Sequence, residues 1–221
     1  TYTDETVENL SATMLEFIRR DFNHPCIITW VPLNESWGVP QIVSNERQKM
    51  TSSMLYYMTK AADGTRLCSG NDGWEQAHTD ICGLHDYNST YEVLKDHFGD
   101  RKFIEEQTCD GRRAYANGYQ CTGKEAFMVT EYGGIAFTNI GIQGEMGGMQ
   151  TWGYHGKVSD EETFFGRYAA CTQAIREIPF CRGFCYTQLT DVMQEINGLL
   201  TPDRKPKMDV ERFRKLNCDP V

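Results

Sequence analysis

The chain has 221 residues, 40% of them apolar and 12% aromatic, with a formal charge of −9. That length and composition support one sizeable buried core and exclude an intrinsically disordered polypeptide. No apolar run approaches the roughly 20 residues needed to cross a bilayer. The negative balance argues against nucleic acid or an anionic membrane as a partner, because phosphate binding draws on excess Lys and Arg.

In chain order, Thr1 to Glu8 are polar and acidic, without the basic and apolar regions of a signal peptide. Thr3, Asp4 and Glu5 supply a cap and an acidic first turn for a helix carrying Val7, Leu10, Met14, Phe17 and Ile18. Cys26 to Leu33 reads as a buried strand. Val43, Met50, Met54, Met58 and Ala61 predict the next helix, ended by Asp63-Gly64. Arg66 to Asn71 and Asp80 to His85 read as strands, and Ala126 to Glu131 as a fourth. Ser159 with Glu162 predicts a capping box before a helix bearing Phe164, Phe165, Tyr168, Ile175 and Ile178. Phe180 to Gln188 is a fifth strand and Val210 to Leu216 a closing helix. Residues 100–125 and 135–158 are rich in glycine and aperiodic, and read as long loops.

Strands alternating with amphipathic helices predict an α/β fold with a parallel sheet, either doubly wound or a (β/α)8 TIM barrel. No Gly-rich phosphate loop follows a strand, which removes the best support for the nucleotide-binding alternative. Polar residues cluster just beyond strand C-termini: Asn34-Glu35, Asn71-Asp72, His85-Asp86-Tyr87, Glu131 and Gln188. That is where barrel active sites lie. Five strands cannot close an eight-stranded barrel, so either some elements escape this reading or the N-terminal part is absent, and the expectation is an incomplete barrel.

Two carboxylates stand out at strand ends. Glu35 has an apolar strand behind it and Trp37 beside it in sequence; partial desolvation would keep such an acid protonated, able to protonate a leaving oxygen. Asn34 is suited to a sugar hydroxyl. Glu131 precedes Tyr132-Gly133-Gly134, where glycines permit an unusual backbone and a close approach of substrate. A nucleophilic carboxylate needs donors, and Tyr87 offers one. Two acids of opposite protonation are the minimum for cleaving a glycosidic bond. The bland alternative is that each Glu is an ordinary solvated residue.

Further motifs carry a resemblance. Arg20-Asp21-Phe22-Asn23-His24-Pro25-Cys26-Ile27-Ile28-Thr29-Trp30, running into Leu33-Asn34-Glu35-Ser36, resembles the signature of glycoside hydrolase family 2, the family of β-galactosidases, β-glucuronidases and β-mannosidases. The resemblance continues through Asn71-Asp72-Gly73-Trp74, Gly83-Leu84-His85-Asp86-Tyr87, Thr130-Glu131-Tyr132-Gly133, and Gln188-Leu189-Thr190-Asp191 to Asp203-Arg204-Lys205-Pro206. It implies that Glu35 ends the fourth barrel strand as general acid/base and that Glu131 ends the seventh as nucleophile of a retaining exo-β-glycosidase. It also implies that residues 1–221 are the C-terminal portion of the barrel, with strands one to three and the preceding β-sandwich domains outside this chain. The sequence departs from the family at strand eight, where many members place a Trp and this chain has Thr187; Trp74 or Trp152 would have to supply the sugar platform.

The expected substrate-binding set is therefore Asn34, Trp37, Asn71, Trp74, His85, Tyr87 and Trp152, with no cofactor and no metal. His85 and Tyr87 are two apart and share a face. His24 reads as structural. Cys181 and Cys185 lack a second ligand pair with zinc spacing. Glu105-Glu106 and Glu161-Glu162 read as solvated faces, and Met146, Met149 and Trp152 as either a sugar subsite or a lid. Cys26, Cys68, Cys82, Cys181 and Cys185 read as small core residues of a chain from a reducing, cytoplasmic compartment, with secretion open. The partners expected are a carbohydrate and either a second copy or the rest of the barrel, because a partial barrel exposes unpaired strand edges. The rival expectation is an inactive partial barrel with a carbohydrate-binding or structural role.

Overall fold

A computed structural model describes residues 2–106, 108–109, 111–137 and 150–218. Helix α1 (Asp4–Asp21) begins at Thr3, whose hydroxyl accepts from the Thr6 amide in a reciprocal capping box. Strand β1 (Thr29–Trp30) pairs in parallel with β2 (Leu67–Cys68), and helix α2 (Glu46–Ala62) connects them. Strands β3 (Ile81–Asp86), β6 (Ala126–Gly133) and β9 (Cys181–Thr187) form a three-stranded sheet in the order β3-β6-β9. All five predicted strands and all four predicted helices are present. The fold is an α/β partial barrel: parallel pairs recur, and no closed barrel forms among the described residues.

Several expectations are corrected. The strand expected over Cys26–Leu33 is only two residues long. Cys26 sits in a turn closed by Ile27 N–H to His24 O (3.1 Å), and Pro32 has no N–H for the ladder. Parallel pairing resumes at Asn34 against Asp72. Cys26 and Cys185 are exposed rather than core residues, whereas Cys68 and Cys82 are buried; the eight cysteines whose side chains are described are free thiols. In α2 the methionine stripe faces out at Met50 and Met54, and the buried face is Gln48, Thr51, Ser52, Leu55 and Thr59. The helix starts after Asn45, which caps Gln48, so Val43 lies outside it.

The two expected loops also contain structure. Residues 101–113 hold α4 (Arg101–Glu106) and the antiparallel pair β4 (Thr108–Cys109) and β5 (Arg112–Arg113). Beyond Gly134, β7 (Ile135–Phe137) pairs in parallel with β8 (Tyr154–Val158). Helix α3 (Tyr91–Phe98) had its own signal, Thr90 capping Val93 with Leu94 and Phe98 buried. The cap of α5 (Glu161–Arg176) is Asp160, which accepts from Thr163, not Ser159 with Glu162. Glu162 instead pairs with Arg212 of α6 (Val210–Cys218). No described helix is long and apolar enough to cross a membrane.

The chain divides into two compact units. The first comprises Thr1–His85 and Ile104–Met128, the second Asp86–Phe103 and Val129–Val221. In the first, Met14, Ile18 and Trp30 form one apolar cluster, and Leu33, Val39, Ile42, Leu55 and Ala116 another. In the second, Ile135, Phe137, Val158, Phe164, Tyr168, Met208 and Phe213 pack together.

Next to Trp30 lies a buried ion pair of the first unit, Asp63 with Arg66. Asp63 accepts from Trp30 Nε1 (2.8 Å), Thr65 Oγ1 (2.6 Å), the Thr65 amide (2.9 Å) and Arg66 Nη1 (2.6 Å). Burial alone would raise its pKa, but these donors outweigh burial and hold the carboxyl well below the usual carboxylate range. Because the folded value is depressed, the stabilisation is complete above the unfolded value of about 3.9 and is lost as pH falls through the folded one. Asp63→Asn should cost about 3–5 kcal/mol near neutrality, the usual cost of breaking a buried pair. Urea midpoints measured against pH should then show a flatter acid limb than the unaltered protein; parallel curves would contradict this account.

Candidate active site

In the first unit, three strand ends lie side by side because their backbones are hydrogen-bonded in sequence. The Glu35 amide donates to Asp72 O (2.8 Å) and the Asp72 amide to Leu33 O (2.9 Å). The Gly73 amide donates to Gly83 O (3.2 Å) and the His85 amide to Gly73 O (3.4 Å). The chain turns sharply at Glu35 and Ser36, both at positive φ (53° and 60°). That conformation is costly for residues with a Cβ and persists only where neighbours enforce it. Here the Ser36 amide donates to Asn71 Oδ1 (2.9 Å), and Ser36 Oγ to Glu75 Oε2 (2.6 Å). Glu75 in turn meets Arg112 (3.1 Å).

The turn presents the Glu35 carboxylate to a histidine. Nδ1 of His85 lies 2.8 Å from Glu35 Oε1, and Nε2 lies 3.2 Å from Asp72 Oδ2. His85 is buried, Asp72 nearly so, and Glu35 keeps about a quarter of its side chain exposed (24%). Asp72 Oδ1 also accepts from Ser69 Oγ (3.0 Å). The edge of Trp74 approaches the imidazole, with centroids 5.7 Å apart, and Arg112 lies over the Trp74 ring at 5.0 Å. Gly73, at φ +98°, has to be glycine: a Cβ there would stand 2.8 Å from His85 Nδ1.

The second unit holds Glu131, near the end of β6. The Tyr87 hydroxyl donates to its Oε2, and the same phenol oxygen lies 3.4 Å from Thr187 Oγ1. Tyr87 stacks flat on Tyr154, with centroids 3.6 Å apart and planes 2° apart. Burial first, and then the bond to Glu131, push the Tyr87 phenol far above its ordinary value. The glycines after Glu131 make room for rings rather than for an open approach. A Cβ on Gly133 would lie 2.3 Å from Tyr186, and one on Gly134 2.3 Å from Tyr154.

Each residue of the expected set thus has a definite place. Glu35, His85 and Trp74 come together in the first unit, and Glu131 and Tyr87 in the second. Asn71 is fully buried, and its amide is used by Ser36 (3.1 Å) and the Trp74 carbonyl (2.9 Å), so it shapes the turn. Trp37 is 76% exposed and does not cover Glu35; Asn34 is exposed as well. Trp152 is 41% exposed and meets Tyr154 edge-on at 5.8 Å. Met146 and Met149, and the side chains of Glu105 and Glu106, lie outside the described residues. His24 bonds the Asp21 carbonyl (3.1 Å) before β1, and Cys181 bonds Gly183 O (3.2 Å) within its own strand. Sequence reading named Asp72 only among the polar residues at strand ends and did not name Tyr154; the spacing of Asp72 from Glu35 carried no helical or strand period that would pair them.

Residues 1–218 match the model of "Glycosyl hydrolases family 2, TIM barrel domain". The fold is similar to a Faecalibacterium prausnitzii β-glucuronidase, with TM-score 0.65 and 19% identity, covering 97% of this chain and 35% of that one. It is similar to a Bifidobacterium dentium β-glucuronidase at TM-score 0.66 and 20% identity, covering 97% and 34%. An Eisenbergiella tayi β-galacturonidase bound to galacturonate matches at TM-score 0.65 and 20% identity, covering 96% and 37%. The chain thus spans about a third of the length of these structures. No curated protein matches the sequence closely enough to count as a relative.

The tyrosine environment can be checked directly. Tyr87→Phe should leave unchanged the phenolate absorbance that develops around the ordinary tyrosine pKa of about 10, because Tyr87 does not ionise there. A drop equal to one tyrosine would contradict the burial and bonding described.

Proposed function

Because the chain belongs to glycoside hydrolase family 2, we propose that it carries the reacting carboxylates of a retaining exo-β-glycosidase. Its substrate is a terminal β-linked sugar. In this reading residues 1–221 are the C-terminal portion of the barrel, a fold whose active sites lie at the C-terminal ends of its strands. Glu35 protonates the glycosidic oxygen while Glu131 attacks the anomeric carbon and forms a glycosyl-enzyme. Glu35, now ionised, removes a proton from water, which displaces Glu131 and releases the sugar with its configuration retained. The reaction needs the carboxyl groups about 5–5.5 Å apart.

What supports these roles is the difference between the partners of the two acids. Glu131 receives a hydrogen bond from Tyr87, whose raised pKa keeps it a donor throughout the working pH range. A carboxylate held by a donor stays ionised, as a nucleophile must. Glu35 faces an imidazole nitrogen, which can either give or accept a proton. An acid that alternates between protonated and ionised forms needs such a partner. The bound sugar would find aromatic surface at Trp74 and Trp152 in place of the strand-eight Trp.

The test uses the full polypeptide that carries this chain. Glu131→Gln should abolish turnover while sugar binding stays measurable. Glu35→Gln should lose about 10²–10⁴ in rate on glycosides with poor leaving groups and much less on nitrophenyl glycosides, whose aglycone departs without a proton. Equal losses on both classes would remove the acid role from Glu35, and full activity in Glu131→Gln would remove the nucleophile. No hydrolysis by the unaltered full polypeptide would favour the rival reading, a sugar-binding or structural barrel.

A further inference from the structure

We propose that Glu75 is a positioning residue for the Glu35 carboxyl group, acting through Ser36, and that Arg112 holds Glu75 in place from a segment remote in sequence. The inference rests on the reading of Glu35 as the acid/base. It assigns a task to a third acidic residue that the two-carboxylate mechanism leaves unused.

The turn that carries Glu35 is one that its residues do not favour. The Trp37 amide donates to Asn34 O (2.8 Å), so Glu35 and Ser36 are the central pair of a four-residue turn, and both have positive φ. Glycine, asparagine and aspartate dominate such central positions, because most side chains with a Cβ are strained there. Glu75 is left-handed as well, at φ 49°. Among the described residues, three of the six non-glycine positions with positive φ therefore belong to one hydrogen-bonded group. Strain of this kind persists only where the surroundings over-determine it, and it gathers at functional sites.

The surroundings here are specific. Ser36 Oγ donates to Glu75 Oε2 (2.6 Å) and accepts from Asn71 Nδ2 (3.1 Å). Glu75 is 6% exposed, so its side chain acts inside the protein rather than in solvent. One stretch of chain holds it at backbone and side chain alike: its amide donates to Arg113 O (2.7 Å), and Arg112 Nη1 donates to its Oε2 (3.1 Å). Gln76 continues the attachment, its amide donating to Ala114 O (2.9 Å) and its carbonyl accepting from the Ala116 amide (2.9 Å). Arg112 also lies over the Trp74 ring at 5.0 Å. Ser36 adjoins Glu35, so the place where its hydroxyl is pinned sets the direction of the Glu35 carboxyl. Asn71 Oδ1 holds the Ser36 amide (2.9 Å) and Glu75 the hydroxyl. Loss of Glu75 then loosens the turn without opening it, and the carboxyl swings away from the leaving oxygen.

The experiment is a double-mutant cycle on the full polypeptide. It reads kcat/KM for phenyl and nitrophenyl β-glycosides of the sugar that polypeptide hydrolyses, ordered by leaving-group pKa. Ser36→Ala and Glu75→Ala should each lose about 10- to 10²-fold on the poorest leaving groups, the scale of a displacement of about 1 Å. The loss on dinitrophenyl glycosides should be much smaller, so the dependence on leaving-group pKa steepens toward that of Glu35→Gln. Glu75→Gln keeps an oxygen for the Ser36 hydroxyl and should recover most of the loss. Ser36→Ala/Glu75→Ala should be no worse than the poorer single variant, because both act through one bond. Losses equal across leaving groups, or losses that multiply in the double variant, would overturn the proposal. Ser36→Ala removes one oxygen atom, so its slope decides the matter even where Glu75→Ala does not fold. If Glu35→Gln itself shows no dependence on the leaving group, the acid/base reading fails and takes this proposal with it. A steep Glu35→Gln beside a flat Ser36→Ala overturns the proposal and leaves that reading standing.

Discussion

A short parallel ladder fixes the candidate site of the first unit. Asp72 is bonded through its backbone to both Leu33 and Glu35, and Gly73 to both Gly83 and His85. Each strand end is thereby locked to the next before any side chain is considered. The three ionisable groups follow from that register: Glu35, Asp72 and His85 emerge at neighbouring strand ends, and the imidazole reaches both carboxylates without leaving its own strand. A one-residue slip would turn each side chain to the opposite face. Catalytic groups carried on ladder ends need little further ordering, which is the advantage of strands over free loops.

The same register demands a strained turn and supplies the means to hold it. To aim its carboxylate at His85, Glu35 takes a left-handed backbone, and Ser36 follows it. Such residues cost about 1–3 kcal/mol each. Asn71 and Glu75 meet the cost by bonding Ser36 at its amide and its hydroxyl, and Arg112 closes the set on Glu75. A buried polar network of this kind stabilises when its members are satisfied, and Ser36, Asn71 and Glu75 are. The second unit uses another device at Glu131. Two glycines let Tyr186 and Tyr154 press against the backbone, and Tyr154 stacks on Tyr87 to aim its hydroxyl.

How much of this was legible in the sequence divides along physical lines. The strands and helices were, because apolar periods and caps are local; Thr3 and the Asp63-Gly64 stop needed no tertiary information. The Glu35 and Glu131 positions were visible as acids at strand ends, and the family motifs strengthened them. What the sequence did not show depended on partners distant in sequence. Asn71 reads as a ligand for sugar until its neighbours Ser36 and Trp74 consume its amide. Trp37 is adjacent to Glu35 in sequence, yet the left-handed turn sends its ring to solvent. The α2 methionines follow a helical period, but tertiary packing selects the neighbouring face of Thr51, Ser52 and Leu55. Gly133 and Gly134 announce close approach without saying by what, and the approaching groups are tyrosines.

In the proposed function, different partners suit two chemically identical side chains to different tasks. A phenol that burial keeps protonated donates to Glu131 and favours its ionised form over its neutral one. An imidazole can donate or accept, and which it does at Nδ1 is set by what holds Nε2. Were Nε2 facing solvent, both tautomers would be open and Glu35 would gain equally from a donor or an acceptor. A buried carboxylate beside Nε2 favours a proton on that nitrogen. A donor-only group at one acid and an imidazole at the other give the two carboxyl groups different partners, and such a difference does not require either glutamate to be buried.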